Sequence, residues 1–379
     1  MRVLVCPDKF RGTLTAREAG DAVARGWRRV RPGDDVEVLP LADGGEGTLD
    51  ALAPPGDPDA IRWTRRVTGP LGDPVDADFG LRDGTAVIEM ARASGLGLVP
   101  AERRAPFRTT TRGTGELMAA ALDAGARRLL VCLGGSATND GGVGMAAALG
   151  GRFLDADGAP IGEGGGALVR LARVDIRAVV ERLRAAEVIG VTDVDNPLCG
   201  PAGASAVFGP QKGASADDVV VLDRALGHLA AVAARDLGAD RSREAGAGAA
   251  GGLGFGLMAF TGARLRRGVE VVMDAVGFAA RLASTSLVIT GEGSFDAGSL
   301  RGKVPAGVLE ACAVAGVPVA ILCGVASADA PGAVLRSLVD LVGSEAALAD
   351  AAGSLQRAAE ALAGDPAALR GSDDRSPGG

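Results

Sequence analysis

Short apolar, β-branched runs recur along the chain, each followed by a loop rich in Gly and Asp and then by a helical pattern. Arg2–Cys6 precedes Pro7-Asp8-Lys9-Phe10-Arg11-Gly12, and Val36–Leu41 precedes Ala42-Asp43-Gly44-Gly45-Glu46-Gly47. Leu129–Leu133 leads into a long loop, Gly134-Gly135-Ser136-Ala137-Thr138-Asn139-Asp140-Gly141-Gly142. Val188–Thr192 leads into Asp193-Val194-Asp195-Asn196-Pro197, Leu287–Thr290 into Gly291-Glu292-Gly293-Ser294-Phe295-Asp296, and Val317–Cys323 into Gly324. Continuous apolar runs suit strands covered on both faces, so the pattern predicts an α/β fold around a parallel sheet. In such sheets ligands sit beyond the carboxyl ends of the strands, where all these loops would gather. The first crossover helix is signalled by the capping box Thr15-Ala-Arg-Glu18, with Ala19, Val23, Gly26, Trp27 and Val30 at helical spacing. It would begin just beyond Lys9 and Arg11, bringing backbone amides and two cations toward one anion.

Two regions break the strand–loop–helix rhythm. Residues 54–115 are rich in Pro, Gly, Asp and Thr with short strands such as Ala86–Met90, and residues 196–285 hold a Pro/Gly-rich stretch, a helix and an uncharged glycine stretch. The expected organisation is a discontinuous parallel-sheet α/β domain (1–53, 116–195 and 286–370) with a second α/β domain (54–115 and 196–285) inserted into it and a cleft between them. Residues 371–379 read as a disordered tail.

Composition narrows the function. The net charge of −7 argues against a nucleic-acid partner or an anionic membrane surface, and with 3% aromatics and no Tyr a base-stacking platform is unlikely too. The longest uncharged stretch, Ala245–Ala263, holds seven glycines and reads as a loop entering a small-residue helix, not as a membrane span. Five cysteines without CxxC or metal-ligand spacing suit a reduced, cytoplasmic protein. The only histidine, His228, falls inside the helical pattern Val221–Asp236 and reads as a helix-surface residue, which nearly excludes Ser-His-Asp, Cys-His and His-ligated zinc chemistry. Acid–base work then falls to carboxylates or lysines.

Of 40 Lys and Arg residues only Lys9, Lys212 and Lys303 are lysines, and each lies near glycine in a loop. A compact ammonium with three rotatable donors can follow a phosphoryl group as its charge moves, which a planar guanidinium does less well. Gly246-Ala-Gly248-Ala-Ala-Gly251 matches GxGxxG but follows no strand pattern, and Gly302-Lys303 lacks the remaining Walker A positions, so neither a dinucleotide fold nor a P-loop is expected. Asp193 and Asp195 alternate after a strand end; they suit Mg2+ binding or proton abstraction, and equally an Asx turn before Pro197. Asp43 and Glu46 sit on a glycine-held loop that either presents carboxylates or caps a helix. The Gly134–Asn139 turn offers amides for a phosphate cradle. Carboxylates for a hard cation, amide nests and ammonium groups without histidine are the set that phosphoryl transfer needs.

Several blocks together resemble bacterial type I glycerate kinases: Pro7-Asp8-Lys9-Phe10-Arg11-Gly12-Thr13-Leu14-Thr15-Ala16, Ala42-Asp43-Gly44-Gly45-Glu46-Gly47-Thr48, the Gly134–Gly142 loop, Val191-Thr-Asp193-Val-Asp195-Asn-Pro-Leu-Cys-Gly-Pro, Phe208-Gly-Pro-Gln-Lys212-Gly, Gly248-Ala-Ala-Gly251-Gly-Leu-Gly254 and Thr290-Gly-Glu292-Gly-Ser-Phe-Asp296. The resemblance runs in order from residue 1 to about 360. It implies an ATP- and Mg2+-dependent kinase acting on D-glycerate, forming 2-phosphoglycerate, with 3-phosphoglycerate as the other possible product. It also implies two α/β domains, one flavodoxin-like and discontinuous, the other inserted. On that reading Asp193 is base or metal ligand with Asp195 beside it, and Lys212 and Lys303 neutralise the transferring phosphate. Asp8, Lys9, Arg11, Asp43 and Glu46 bind substrate, and Gly134, Gly135, Ser136, Thr138, Asn139, Gly291 and Glu292 bind the nucleotide phosphates. The family tolerates Ser at position 9 and often has Lys at position 11, and many members carry His where this chain has Arg301. A kinase for another small hydroxy acid, or a non-catalytic sensor of sugar acids, are the alternative readings.

Overall fold

The computed structural model describes residues 1–10 and 12–365; Arg11, a candidate anion ligand, and the segment 371–379 lie outside the described residues. The chain divides into two compact units, Met1–Asp43 with Arg267–Gly379, and Gly44–Arg266.

The first unit begins with β1 (Arg2–Pro7), α1 (Ala16–Val30) and β2 (Asp35–Val38). The helix starts where the capping box places it: Thr15 Oγ1 accepts from Glu18 N at 3.2 Å, and Glu18 Oε2 accepts from Thr15 N at 2.9 Å. Ala19, Ala22, Val23 and Trp27 form its buried face. The Trp27 indole is fully buried and donates from Nε1 to Asp34 Oδ2 at 3.0 Å, so its polar edge is satisfied. The expected strand Val36–Leu41 ends at Val38, but Leu39 N and Leu41 N still donate to Val5 O and Pro7 O. The chain thus stays extended beside β1 almost to Asp43.

In the second unit β3 (Ala60–Thr68), β4 (Pro74–Arg82) and β5 (Thr85–Glu89) form an antiparallel meander. From β5 the sheet continues in parallel through β6 (Arg128–Cys132), β7 (Glu187–Val191) and β8 (Arg264–Arg266), in the order β8-β7-β6-β5-β4-β3. This differs from the expected division. Residues 116–195, expected in the first unit from their buried-strand pattern, instead belong to Gly44–Arg266, where β6 and β7 extend the sheet from β5. An apolar run shows that a strand is covered on both faces, but its sheet is chosen by pairing partners distant in sequence. The expected helix around Val221–Asp236 is α2 (Ala216–Leu237), capped by Ser215. His228 is exposed on it, with Nε2 2.7 Å from Leu171 O. The glycine stretch forms α3 (Ala249–Thr261), interrupted by Ala250, Gly251 and Gly252 in left-handed conformations. No strand precedes it, in accord with the rejected dinucleotide motif.

The chain then completes the first unit with β9 (Leu287–Gly291), α4 (Val304–Ala315), β10 (Val319–Cys323) and β11 (Ala333–Ser337). Its all-parallel sheet runs β11-β10-β9-β1-β2. Pro7 pairs with Gly291, so the loops after β1 and β9 leave the sheet side by side. All five cysteines are free thiols, and no helix among the described residues is long and apolar enough to cross a membrane.

Candidate active site

Beyond the carboxyl ends of β1 and β9 the first unit has a cavity of about 600 Å³. Asp8, Lys9, Asp43, Glu292, Asp296 and Lys303 line it, with Phe10, Leu338 and Leu348 among its apolar walls. The strand register explains the convergence: Asp8 N donates to Gly291 O at 2.8 Å, so Asp8 and Glu292 follow directly on paired positions. Gly291 is obligatory there, because a Cβ would overlap the Leu322 carbonyl oxygen.

Asp8 is only 6% exposed. Its Oδ1 accepts from Lys9 N at 2.7 Å and lies 3.9 Å from Lys9 Nζ. Burial pushes the Asp8 carboxyl up to about 7; the Lys9 charge and amide pull it down, while Asp43 and Glu292 push it further up. Burial also raises the Glu292 carboxyl above the ordinary range, against the Ser299 hydroxyl and Lys303. Glu292 Oε2 stands 3.9 Å from Lys303 Nζ, and Oε1 is buried with no hydrogen-bond partner among the described residues. Asp296 is held below the usual carboxylate range by Gly298 N, by the Lys303 charge and by Ser299 N. Lys303 is the N-cap of α4, so the positive end of that helix adds to its own charge. The cavity therefore places two ammonium groups beside Asp8 and Glu292, the two carboxyls that burial drives toward neutrality. Such an enclosure has the charge to hold a small anion and a carboxyl group able to take a proton.

The glycine loop after β6 lies in the second unit, and its polar side chains point inward rather than toward a ligand. Ser136, Thr138 and Asn139 are buried, while Gly134 is partly exposed and Gly135 is exposed. Thr138 Oγ1 donates to Ala250 O at 3.4 Å and Asn139 Nδ2 donates to Ser205 Oγ at 3.0 Å. Lys212 departs furthest from expectation. Its side chain is only 2% exposed, and Nζ donates to Ser136 Oγ at 2.8 Å and to Thr138 O at 2.7 Å. Burial lowers its ammonium from 10.5 to about 7, against the supporting charge of Asp140. Lys212 thus braces the loop from within, and does not stand exposed to meet a transferring phosphate. Of the candidate phosphate ligands on this loop, only Gly134 and Gly135 present accessible backbone.

Asp193 and Asp195 are exposed beyond β7, and Glu46 is exposed in the second unit, whereas Asp43 belongs to the first unit and its cavity. Among the described residues no three His, Cys, Asp or Glu side chains gather as a metal-binding group. The hard-oxygen pair Asp193 and Asp195 still fits Mg2+, which commonly takes one or two carboxylates and fills its shell with water and phosphate oxygens.

Two residues escaped the sequence reading. Asp296 lines the cavity and was visible only as the end of the Gly291–Asp296 loop. Asp140 is buried and accepts from Thr111 N at 2.8 Å, Thr111 Oγ1 at 2.9 Å, Gly142 N at 3.1 Å and Gly144 N at 3.3 Å, tying the end of the glycine loop to the helix that follows. Its signal was its place between Asn139 and Gly141-Gly142.

A family model described as the glycerate kinase family matches residues 3–365. The chain belongs to the glycerate kinase family. It is 52% identical over 331 residues to a glycerate kinase of Bacillus subtilis strain 168, covering 87% of this chain and 86% of that protein. It is 48% identical over 311 residues to a glycerate 2-kinase of Escherichia coli K12, covering 81% of each. In structure it is similar to a crystal structure described as a candidate glycerate kinase 2 from Salmonella typhimurium LT2, with a TM-score of 0.86, 44% identity, and coverage of 96% of this chain and 97% of that one. The cavity and the glycine loop both lie within the span that the glycerate kinase model covers.

Proposed function

We propose that this protein transfers the γ-phosphoryl group of ATP to a hydroxyl of D-glycerate, giving 2-phosphoglycerate. The observation that carries this reading is the cavity of the first unit: Lys9 and Lys303 face a space of about 600 Å³ that also holds Asp8 and Glu292. A three-carbon hydroxy acid fits there with its carboxylate beside an ammonium and a hydroxyl beside a carboxyl group that can take its proton. Lys9, Asp8 and Asp43, with Arg11, bind the acid. Lys303, at the N-cap of α4, neutralises charge on the phosphoryl group, with Glu292 3.9 Å from its Nζ. In the second unit the accessible Gly134 and Gly135 amides meet the nucleotide phosphates, with Ser136, Thr138, Asn139 and Lys212 holding that loop in shape. Asp193 and Asp195 would hold Mg2+, which when bound supplies charge neutralisation at the phosphates. Free thiols and the 48–52% identity to bacterial kinases support a cytoplasmic location.

A coupled ADP-release assay over a panel of small hydroxy acids, with chromatographic resolution of the phosphorylated product, tests the reading. D-glycerate is expected to give the highest kcat/KM and 2-phosphoglycerate the dominant product. No MgATP-dependent turnover of any acid in the panel would exclude a kinase, and a preference for another acid would move the substrate.

A further inference from the structure

The geometry points to Asp8 as the group that takes the proton from the substrate hydroxyl, in place of the exposed Asp193. This rests on the phosphotransferase reading above. A proton acceptor must be held rigidly within hydrogen-bond reach of the substrate and be shielded from water. Asp8 meets the conditions that depend on the protein. Its backbone N–H is bonded to Gly291 O across the β1–β9 register, and its Oδ1 is bonded to Lys9 N. It is 6% exposed and lines the cavity. Asp193 is exposed.

The charged groups around Asp8 set when it can act. Lys9 Nζ lies 3.9 Å from its Oδ1 and favours the carboxylate. Asp43 and Glu292 oppose ionisation, and Glu292 is itself 3.9 Å from Lys303 Nζ, while Asp296 also lines the cavity. Burial is the largest influence and brings the carboxyl to about 7. Asp8 is then part-ionised at neutral pH, where a general base combines availability with proton affinity. In the step, the hydroxyl oxygen forms a bond to the γ-phosphorus as the bond from that phosphorus to the β,γ-bridging oxygen breaks. ADP leaves with the electron pair, and the hydroxyl proton passes to the Asp8 carboxylate.

The test compares wild type, Asp8→Asn, Asp193→Asn and Glu292→Gln, with ATP held as its magnesium complex by excess Mg2+. For the wild type, kcat/KM for glycerate should rise about tenfold per pH unit below about 7 and level off above it. Asp8→Asn should lower kcat at least 100-fold, keep ATP affinity within about threefold by calorimetry, and lose that acid limb. Asp193→Asn and Glu292→Gln should retain the limb. Carbon-13 NMR of aspartate-labelled protein should show one carboxyl titrating near neutrality that is missing from Asp8→Asn. If Asp8→Asn does not fold, Asp8→Glu should keep measurable turnover with a displaced limb. An unchanged limb in Asp8→Asn or Asp8→Glu, or its loss in Asp193→Asn or Glu292→Gln instead, overturns the assignment. A wild type without turnover of glycerate removes the reading on which it rests and overturns it too.

Discussion

Lys212 donates a 2.8 Å hydrogen bond from its buried ammonium to the hydroxyl of Ser136, 76 positions earlier in the chain. Burial lowers its affinity for the proton to about 7. Between about pH 7 and 10.5 the unfolded chain therefore holds a proton that the folded chain has released, and stability rises with pH across that window. The stability of wild type relative to Lys212→Met should increase by about 1 kcal/mol per pH unit between pH 7 and 9. Urea unfolding at three pH values measures it, and a pH-independent difference would contradict a desolvated ammonium.

Lys303 is half-exposed, so in the role proposed for it a substitution should cost activity rather than folding. Lys303→Ala should lower kcat/KM for glycerate by about 100-fold or more while leaving Tm within about 2 °C. Lys303→Arg keeps a charge but not a compact, rotatable donor, and an intermediate loss is expected. Full activity in the Arg variant would show that any cation suffices at the head of α4.

Gly251 and Gly238 both adopt left-handed backbone angles, with φ of +68° and +82°, but only Gly251 is crowded. A Cβ at Gly251 would overlap the Thr138 carbonyl oxygen, whereas at Gly238, which ends α2, nothing lies within 4 Å. Gly238→Ala should cost about 1 kcal/mol of stability from backbone strain alone. Gly251→Ala should cost about 2–4 kcal/mol, because backbone must move to admit the methyl group. Equal losses in denaturant titrations would refute the packing account.

Asp34 is 8% exposed and bonded to the chain's amino terminus, to Arg31 and to Trp27. Burial alone would raise its carboxyl, but these three donors hold it at about 2. A depressed carboxylate stabilises the fold above its unfolded value near 3.8, and the contribution disappears as pH falls through about 2. Asp34→Asn should be less stable than wild type by about 2 kcal/mol at pH 7. Between pH 4 and 2 that gap should close, as guanidinium unfolding at both ends of the range would report.

The local features of this protein were legible because their causes are local. Thr15 and Glu18 cap α1 across one turn, and the strands at Arg2–Pro7, Arg128–Cys132, Glu187–Val191 and Leu287–Gly291 lie within a residue of their apolar runs. The loops that carry Asp8, Lys9, Glu292 and Lys303 were identified by composition, and the structure gathers these residues around one cavity. The sheet joined by β6 and β7 was not legible, since apolar runs of equal character can pair with either set of partners.

The sequence by itself determined the α/β class, the buried parallel strands, the chemistry available to the loops and the family, because residue type, spacing and short-range periodicity suffice for these. Only the tertiary structure decided which polar groups lose their water. Lys212 and Lys303 have similar glycine-flanked settings, yet one is sealed beneath the Ser136–Thr138 loop and the other opens into the cavity. Asp8 and Asp193 both follow strand ends, yet one is buried and the other exposed. Desolvation is a sum over neighbours brought from distant parts of the chain, and it sets charge, proton affinity and hence role.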